Sequence, residues 1–444
     1  MKDAVPKRRL LIPAPALLWA LAALCLLALF SSIYATAQGV FAIAVIALTV
    51  LAAVDAVHLL RRPQPKVRRQ HAHLLSLGVE SEIRVEIENL QALPLRLEVF
   101  DHVPPNCLFD DLPQQLIVPP VANAQLRYKL RPMRRGETAF GPVELRLASL
   151  GGLWRLRMFP GSPSQVRVYP NFAALRGYAL MATDHRLSQL GIVRRRRRGE
   201  GLEFHQMREY REGDTPRQID WKTSSRMRRL VSREYRDERD QQIMLMLDCG
   251  RRMHARDGEL SHLDHALNAA LLLAHVALRQ GDAVGLMTFG GVDRYIAPRK
   301  SGASLNLLLA QVFDLQTSLS SPDYYNAAVT LMQRQRKRSL VVLISNLRDE
   351  DDDDLAPALR LLRQRHLVVL ASLRETILGA ALTAPIDGLD AALTHAATAQ
   401  YLDLRRRSFS RLEQGRVPCL DVEPPALPIA LINRYTDLKR RGAI

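Results

Sequence analysis

A chain of 444 residues is longer than one hydrophobic core usually organises, so two soluble domains are expected once membrane segments are set aside. Its 62 Lys and Arg against 45 Asp and Glu give a formal net charge of +17, which raises nucleic acid or an anionic lipid surface as a partner. Cys25, Cys107, Cys249 and Cys419 stand far apart with no CxxC pair, which argues against a zinc site or a disulfide scaffold and fits a reducing compartment.

From Leu10 to Phe30 the run LLIPAPALLWALAALCLLALF is uncharged and long enough to cross a bilayer core of roughly 30 Å. After a short uncharged stretch, Val40 to Leu60 forms a second apolar run broken only by Asp55 and His58. Lys7, Arg8 and Arg9 precede the pair and Arg61, Arg62, Lys66, Arg68 and Arg69 follow it, while the connecting loop has no charge. Residues 1–70 are therefore expected to be a transmembrane hairpin of the cytoplasmic (inner) membrane, anchored in lipid, with both termini and the soluble domains cytosolic. A cleaved signal peptide ending at ATA, residues 35–37, is the weaker reading because a second span follows at once. Asp55 and His58 share one helical face near the basic boundary and are expected to pair or reach headgroups, not to form an ion path.

Residues 71–180 switch to short runs of period two, such as SEIRVEIENL and AQLRYKLRP, separated by Pro, Asn and Gly. They predict an antiparallel β-sandwich of immunoglobulin-like size, with turns at Gly136, Gly141 and Gly151-Gly152 and Trp154 as a core anchor. Residues 181–240 read as a basic linker opening with Arg194 to Arg198. That arginine run has no interleaved aromatics, so a solvated or lipid-facing loop is expected and specific nucleic-acid binding is not.

Within this linker, residues 203–237 place charges in alternation: Arg208-Glu209-Tyr210, Gly213-Asp214, Arg217 and Ile219-Asp220-Trp221-Lys222. Paired charges with Tyr210, Ile219 and Trp221 as apolar anchors predict an ordered interdomain strap, with a partner-binding segment as the alternative. No nucleophile with an adjacent general base stands out, so an enzyme is not expected, although an envelope enzyme of unknown chemistry remains a rival. These motifs resemble the family called domain of unknown function 58, and the resemblance runs from about residue 40 to the C-terminus.

From residue 241 to 444, apolar strands such as QQIMLMLD and LVVLISNL alternate with helical segments, which predicts a doubly wound α/β domain with a parallel sheet. The fold class is thus a membrane-anchored α+β multidomain chain: two-helix hairpin, β-sandwich, then α/β domain. The first strand ends in Asp248-Cys249-Gly250-Arg251-Arg252, where the domain resembles a von Willebrand factor A module. That resemblance implies a divalent-cation loop of the form DxSxS with a later Asp, yet Gly250 and Arg252 occupy the Ser positions and Asn346 the later Asp. No metal and no cofactor are therefore expected, Asp248 being read as a strand-end cap of neighbouring backbone; a metal-dependent binding or adhesion module is the rival. The acidic run 349–354 is expected to cap a helix beginning near Leu355. VPCLDVEP reads as an edge strand, PIALINRYTDLKRRGAI as a closing helix, and Arg405 to Arg407 as a solvated face. The family resemblance further implies a MoxR-type AAA+ ATPase as partner and a non-enzymatic role in assembling protein complexes; a homo-oligomer stays open.

Overall fold

The computed structural model describes residues 9–34, 38–72, 74–171, 203–210, 219–236, 241–348 and 351–443. They form two compact units that divide between Val168 and Tyr169.

The first unit opens with strand β1 (Leu10–Pro13) and the helices α1 (Pro15–Ile33) and α2 (Gln38–Arg61). Both helices are long and apolar enough to cross a membrane, and Trp19, Leu26, Ile43 and Ile46 face outward. The first span does not begin at Leu10 as expected. The Pro15 ring disfavours helix at Ala14, which is extended at ψ 160°. Leu10–Pro13 instead pairs antiparallel with a strand at Trp154–Met158, while Pro15 starts the helix, where its missing N–H costs nothing.

Eleven strands follow: β2 (Lys66–Gln70), β3 (Leu74–Ser76), β4 (Ser81–Glu88), β5 (Leu95–Asp101), β6 (Cys107–Phe109), β7 (Gln114–Val118), β8 (Asn123–Pro132), β9 (Gly136–Phe140), β10 (Val143–Ala148), β11 (Trp154–Met158) and β12 (Ser164–Tyr169). They make sheets ordered β1-β11-β10-β5-β7, β2-β4-β8-β6 and β3-β12-β9. The period-two pattern is realised directly: Ile83, Val85 and Ile87 of β4 and Leu126, Tyr128 and Leu130 of β8 are buried, while the charged residues between them face outward. Each such aliphatic side chain contributes about 1.5–3 kcal/mol on burial. Asp101, fully buried, accepts from Arg69 Nε at 2.9 Å and Tyr128 Oη at 2.7 Å, and Arg69 Nη1 donates to Ser164 Oγ at 2.9 Å. One paired buried charge thereby ties together strands of all three sheets. The sequence places Arg69 in the basic membrane flank, whereas its guanidinium is buried among the strands.

Asp55 is also placed differently from expectation. It is 7% exposed, and its carboxylate accepts from the backbone N–H groups of Gly151 at 2.9 Å and Leu153 at 3.3 Å. Trp154 is half-buried and donates its indole N–H to the Ala52 carbonyl at 2.9 Å, so it fastens the β10–β11 turn to α2 instead of filling the sheet core.

The second unit begins with the ribbon β13 (Glu203–Glu209) and β14 (Val231–Arg236), with the short helix α3 (Trp221–Met227) between them. A six-stranded sheet and its helices follow as β15 (Gln242–Asp248), the two-residue strands β16 (Arg256–Asp257) and β17 (Leu260–Ser261), α4 (His262–Arg279), β18 (Ala283–Phe289), β19 (Tyr295–Arg299), α5 (Ser304–Val312), α6 (Tyr324–Arg334), β20 (Leu340–Ser345), α7 (Asp352–Arg363), β21 (Leu367–Leu373), α8 (Thr376–Thr383), α9 (Leu389–Gln414), β22 (Cys419–Val422) and α10 (Leu427–Arg440). The order is β19-β18-β15-β20-β21-β22, parallel throughout except for the β18–β19 pair.

Alternate residues of β15 feed two cores. Ile243, Leu245 and Leu247 pack with α4, α5 and α10, whereas Met244 and Met246 pack with α6 and α7. Burial on both faces is why these strands read as continuous apolar runs. Helix α4 starts at a capping box in which Ser261 and Asp264 satisfy each other's backbone N–H groups. The edge strand β22 and closing helix α10 fall where the sequence placed them.

Candidate functional site

The chain leaves β15 toward β18 and β19 on one side and returns to β20, β21 and β22 on the other, so β15 and β20 flank the point where the strand order reverses. The carboxyl ends of strands at such a point form the ligand crevice of open α/β sheets. Asp248 ends β15 there and Ser345 ends β20.

Asp248 is fully buried. Its Oδ1 accepts from the Gly250 N–H at 2.7 Å and its Oδ2 from Ser345 Oγ at 2.6 Å, with the Tyr324 hydroxyl 2.9 Å from the same Oγ. This is the backbone cap expected of Asp248. Burial pushes its carboxyl up to about 6, against the hydrogen bonds from Ser345 and Gly250. Burial likewise raises the Tyr324 hydroxyl well above its ordinary range, reinforced by the charges of Asp248 and Asp351.

Gly250 cannot be exchanged for serine without displacement. A Cβ there would lie 3.0 Å from Asp248 Oδ1, from the Ser320 carbonyl and from Pro322. Arg252 forms a nearly buried ion pair with Asp351, whose Oδ2 also accepts from the Arg348 N–H at 2.9 Å. Asp351 therefore neutralises Arg252 and makes no side-chain cap on α7. Asp354 caps a different helix, accepting from the Tyr324 N–H at 2.9 Å at the start of α6. Of the acidic run, Asp349 and Glu350 lie outside the described residues.

Asn346 sits next to this pair, fully buried. Its Nδ2 donates to Glu375 Oε1 at 2.9 Å and lies 3.3 Å from His262 Nδ1, and the other His262 nitrogen contacts Asp257 Oδ2 at 2.9 Å. Asp257 in turn accepts from Thr376 Oγ1 at 2.5 Å. Burial opposes the charge on Asp257, but the hydrogen bonds from Thr376 and His262 outweigh it and hold the carboxyl below its ordinary value. Two buried acceptors in this chain of contacts, Asn346 Oδ1 and Glu375 Oε2, receive no hydrogen bond. Among the described residues no group of three or more His, Cys, Asp or Glu is arranged to hold a metal ion.

The sequence predicts a solvated face at Arg405, and the structure overturns that. It is 2% exposed on α9, and its guanidinium reaches Asp421 Oδ1 at 2.8 Å, Ser372 Oγ at 2.7 Å, the Leu373 carbonyl at 3.1 Å and the Leu347 carbonyl. It therefore joins the ends of β20, β21 and β22. A signal for it existed: Thr398, Leu402, Arg405 and Ser408 are the buried positions of α9, spaced at helical period. Arg407, by contrast, is exposed and pairs with Asp403 on its own helix.

In the signature segment, Asp220 is buried and its Oδ1 caps α3 by accepting from the Thr223 N–H at 2.9 Å. The Ser224 hydroxyl accepts from the Val231 N–H at 2.9 Å, and the Asp220 N–H donates to the Val231 carbonyl, which joins α3 to β14. Arg208 and Tyr210 lie half-buried at the end of β13, Ile219 bridges Ser232, Glu209 pairs with Arg229 at 2.6 Å, and Lys222 is exposed. Trp221, expected to anchor, is 66% exposed, and Met207, Met227 and Leu230 are exposed as well. Gly213, Asp214 and Arg217 lie outside the described residues, as does the run Arg194 to Arg198.

The chain is similar in part to several solved structures: the manganese-loaded TRAP protein of Plasmodium vivax (12% identity, 30% of this chain and 57% of that one, TM-score 0.23), proximal thread matrix protein 1 of the mussel byssus (9%, 46% and 46%, 0.26) and the CARDB domain of a Pyrococcus furiosus protein (14%, 24% and 93%, 0.17). No curated protein matches the chain. Residues 206–409, which take in the signature, the strand-end cluster and Arg405, match the family described as "Protein of unknown function DUF58".

Proposed function

We propose that the chain is a non-enzymatic, membrane-tethered interaction module. In this reading the hairpin anchors it in the cytoplasmic membrane, its soluble units face the cytosol, and the α/β unit is a von Willebrand A-like domain. The partner proposed on family resemblance is a MoxR-type AAA+ ATPase that assembles or matures protein complexes.

The observation that carries this reading is the signature segment. Asp220 caps α3 and Ser224 holds β14, while Trp221, Met227 and Leu230 point to solvent. A tryptophan held in the open on an internally braced segment is suited to burial against another protein, where Trp is enriched among energetic hot spots. The apolar outer surfaces of α1 and α2 support the tether, since a helix apolar all round is stable only when buried or in lipid.

Crosslinking affinity purification of the full-length protein tests it. Wild type is expected to recover an AAA+ ATPase in an ATP-trapped state, Trp221→Ala to lose it while keeping its unfolding temperature, and a triple Asp248, Arg251, Arg252 alanine variant to keep it. Loss only in the triple variant would move the contact to the strand ends. Recovery of no ATPase by wild type would defeat the proposed partner. The metal-dependent reading retains one supporting observation, the unsatisfied oxygens of Asn346 and Glu375, and calorimetry with magnesium or calcium decides it.

A further inference from the structure

At the opposite end of the sheet, where β21 begins, an open surface pocket of about 420 Å³ is lined by the exposed Arg338, Arg363, Arg365 and Arg416, with His366 beside them. Its wall contains no carboxylate, and none of the four arginines forms an ion pair among the described residues. The volume suits a small metabolite.

Three of the arginines have a structural duty. Arg338 donates to the Ala443 carbonyl beyond α10 at 3.1 Å, Arg365 to the Met332 carbonyl of α6 at 3.0 Å, and Arg363 to the Gly415 carbonyl beyond α9. Capping helix C-termini is an ordinary use of arginine. It does not account for the whole cluster. Each cap occupies one guanidinium nitrogen of a group with five N–H donors. The helix ends of α6, α7, α9 and α10 bring about half a negative charge apiece, so four guanidinium groups leave roughly two positive charges uncompensated. Arg416 has no capping duty and is held at φ 58°, an uncommon conformation for a long side chain.

His366 borders the pocket, but its ring nitrogens are buried and do not open onto it. It is 4% exposed, and neither ring nitrogen makes a hydrogen bond. The Gln335 carbonyl, which Arg365 engages at 3.5 Å, lies near the ring but outside hydrogen-bonding geometry. Four guanidinium groups around one pocket, with no carboxylate in its lining, are the arrangement an anion with several acceptor oxygens would complete.

We propose that this pocket binds a phosphate group, with Arg338, Arg363, Arg365 and Arg416 as its charge-assisted donors. The site lies at the amino end of β21, whereas Asp248 and Ser345 stand at the carboxyl ends of β15 and β20. It therefore does not depend on the interaction reading above.

Titration of the detergent-solubilised full-length protein with inorganic phosphate, followed calorimetrically at constant ionic strength against chloride, is the test. Saturable binding of one phosphate per chain is expected. Arg416→Asn, which suits the left-handed backbone and so preserves folding, should weaken it about tenfold, as should Arg363→Gln, while the remote exposed Arg407→Gln leaves it unchanged. Non-saturable binding, or equal losses in Arg416→Asn and Arg407→Gln, overturns the proposal, because either would mean that general positive charge attracts the ion. Parallel titrations with glycerol 3-phosphate and with dihexanoyl phosphatidic acid identify whether a soluble ester or a lipid headgroup is preferred, and failure of both alongside phosphate also overturns it.

Discussion

Replacing Arg405 by alanine removes a guanidinium that holds three strand ends together, and the loss can be sized from its contacts. The change strands the carbonyls of Leu347 and Leu373, the Ser372 hydroxyl and the Asp421 carboxylate. Each buried group left without its partner costs about 1–3 kcal/mol, and breaking a buried ion pair costs about 3–5 kcal/mol. Asp421 is 21% exposed and keeps some water, so the low end applies, about 3 kcal/mol. For a unit of this size that corresponds to a fall in unfolding temperature of roughly 6–12 °C. Arg405→Lys restores the charge but not the forked geometry and should recover less than half. Arg407→Ala, two residues along the same helix, removes an exposed pair and should change the temperature by no more than about 2 °C. The assay is thermal unfolding of the full-length protein in detergent, read by near-ultraviolet circular dichroism. Equal, small shifts for Arg405→Ala and Arg407→Ala would refute the argument that Arg405 is a structural hub.

Three other outcomes follow from the geometry. Because burial raises the Asp248 carboxyl from 3.8 to about 6, the folded chain holds that proton more tightly than the unfolded one. Its contribution is complete below about pH 4 and is lost as pH rises through 6, so Asp248→Asn should gain up to about 3 kcal/mol over wild type across that window. Parallel stability–pH curves for the two proteins would contradict this. Asp55→Ala leaves the N–H groups of Gly151 and Leu153 without their acceptor. It should cost about 2 kcal/mol or more and speed hydrogen exchange of the β10–β11 turn, while unchanged exchange would sink the docking role. Gly250→Ser, which restores the residue expected in a cation loop, meets Asp248, Ser320 and Pro322 at 3.0 Å. It should destabilise by about 1–3 kcal/mol without creating magnesium binding, measured by unfolding with and without the ion.

Periodicity made much of this protein legible. Two apolar runs, the alternation of β4 and β8 and the fully apolar β15, β20 and β21 report burial through residues that are neighbours in sequence, and such local signals survive without tertiary context. The missing serines of the cation loop were equally plain, since a motif is read position by position. What local pattern could not supply was which distant backbone each polar side chain meets. Asp55 reads as a misplaced intramembrane acid until the Gly151 turn is brought to it. Arg405 and Arg407 are chemically identical, and only the register of α9 against the strand ends buries one and leaves the other in water. Trp221 went the other way, apolar by nature but set on the outer side of a helix whose cap and hydroxyl contacts face inward. In each case the deciding quantity is the desolvation of a single side chain, and desolvation is set by what long-range packing brings alongside it, which no window of neighbouring residues encodes.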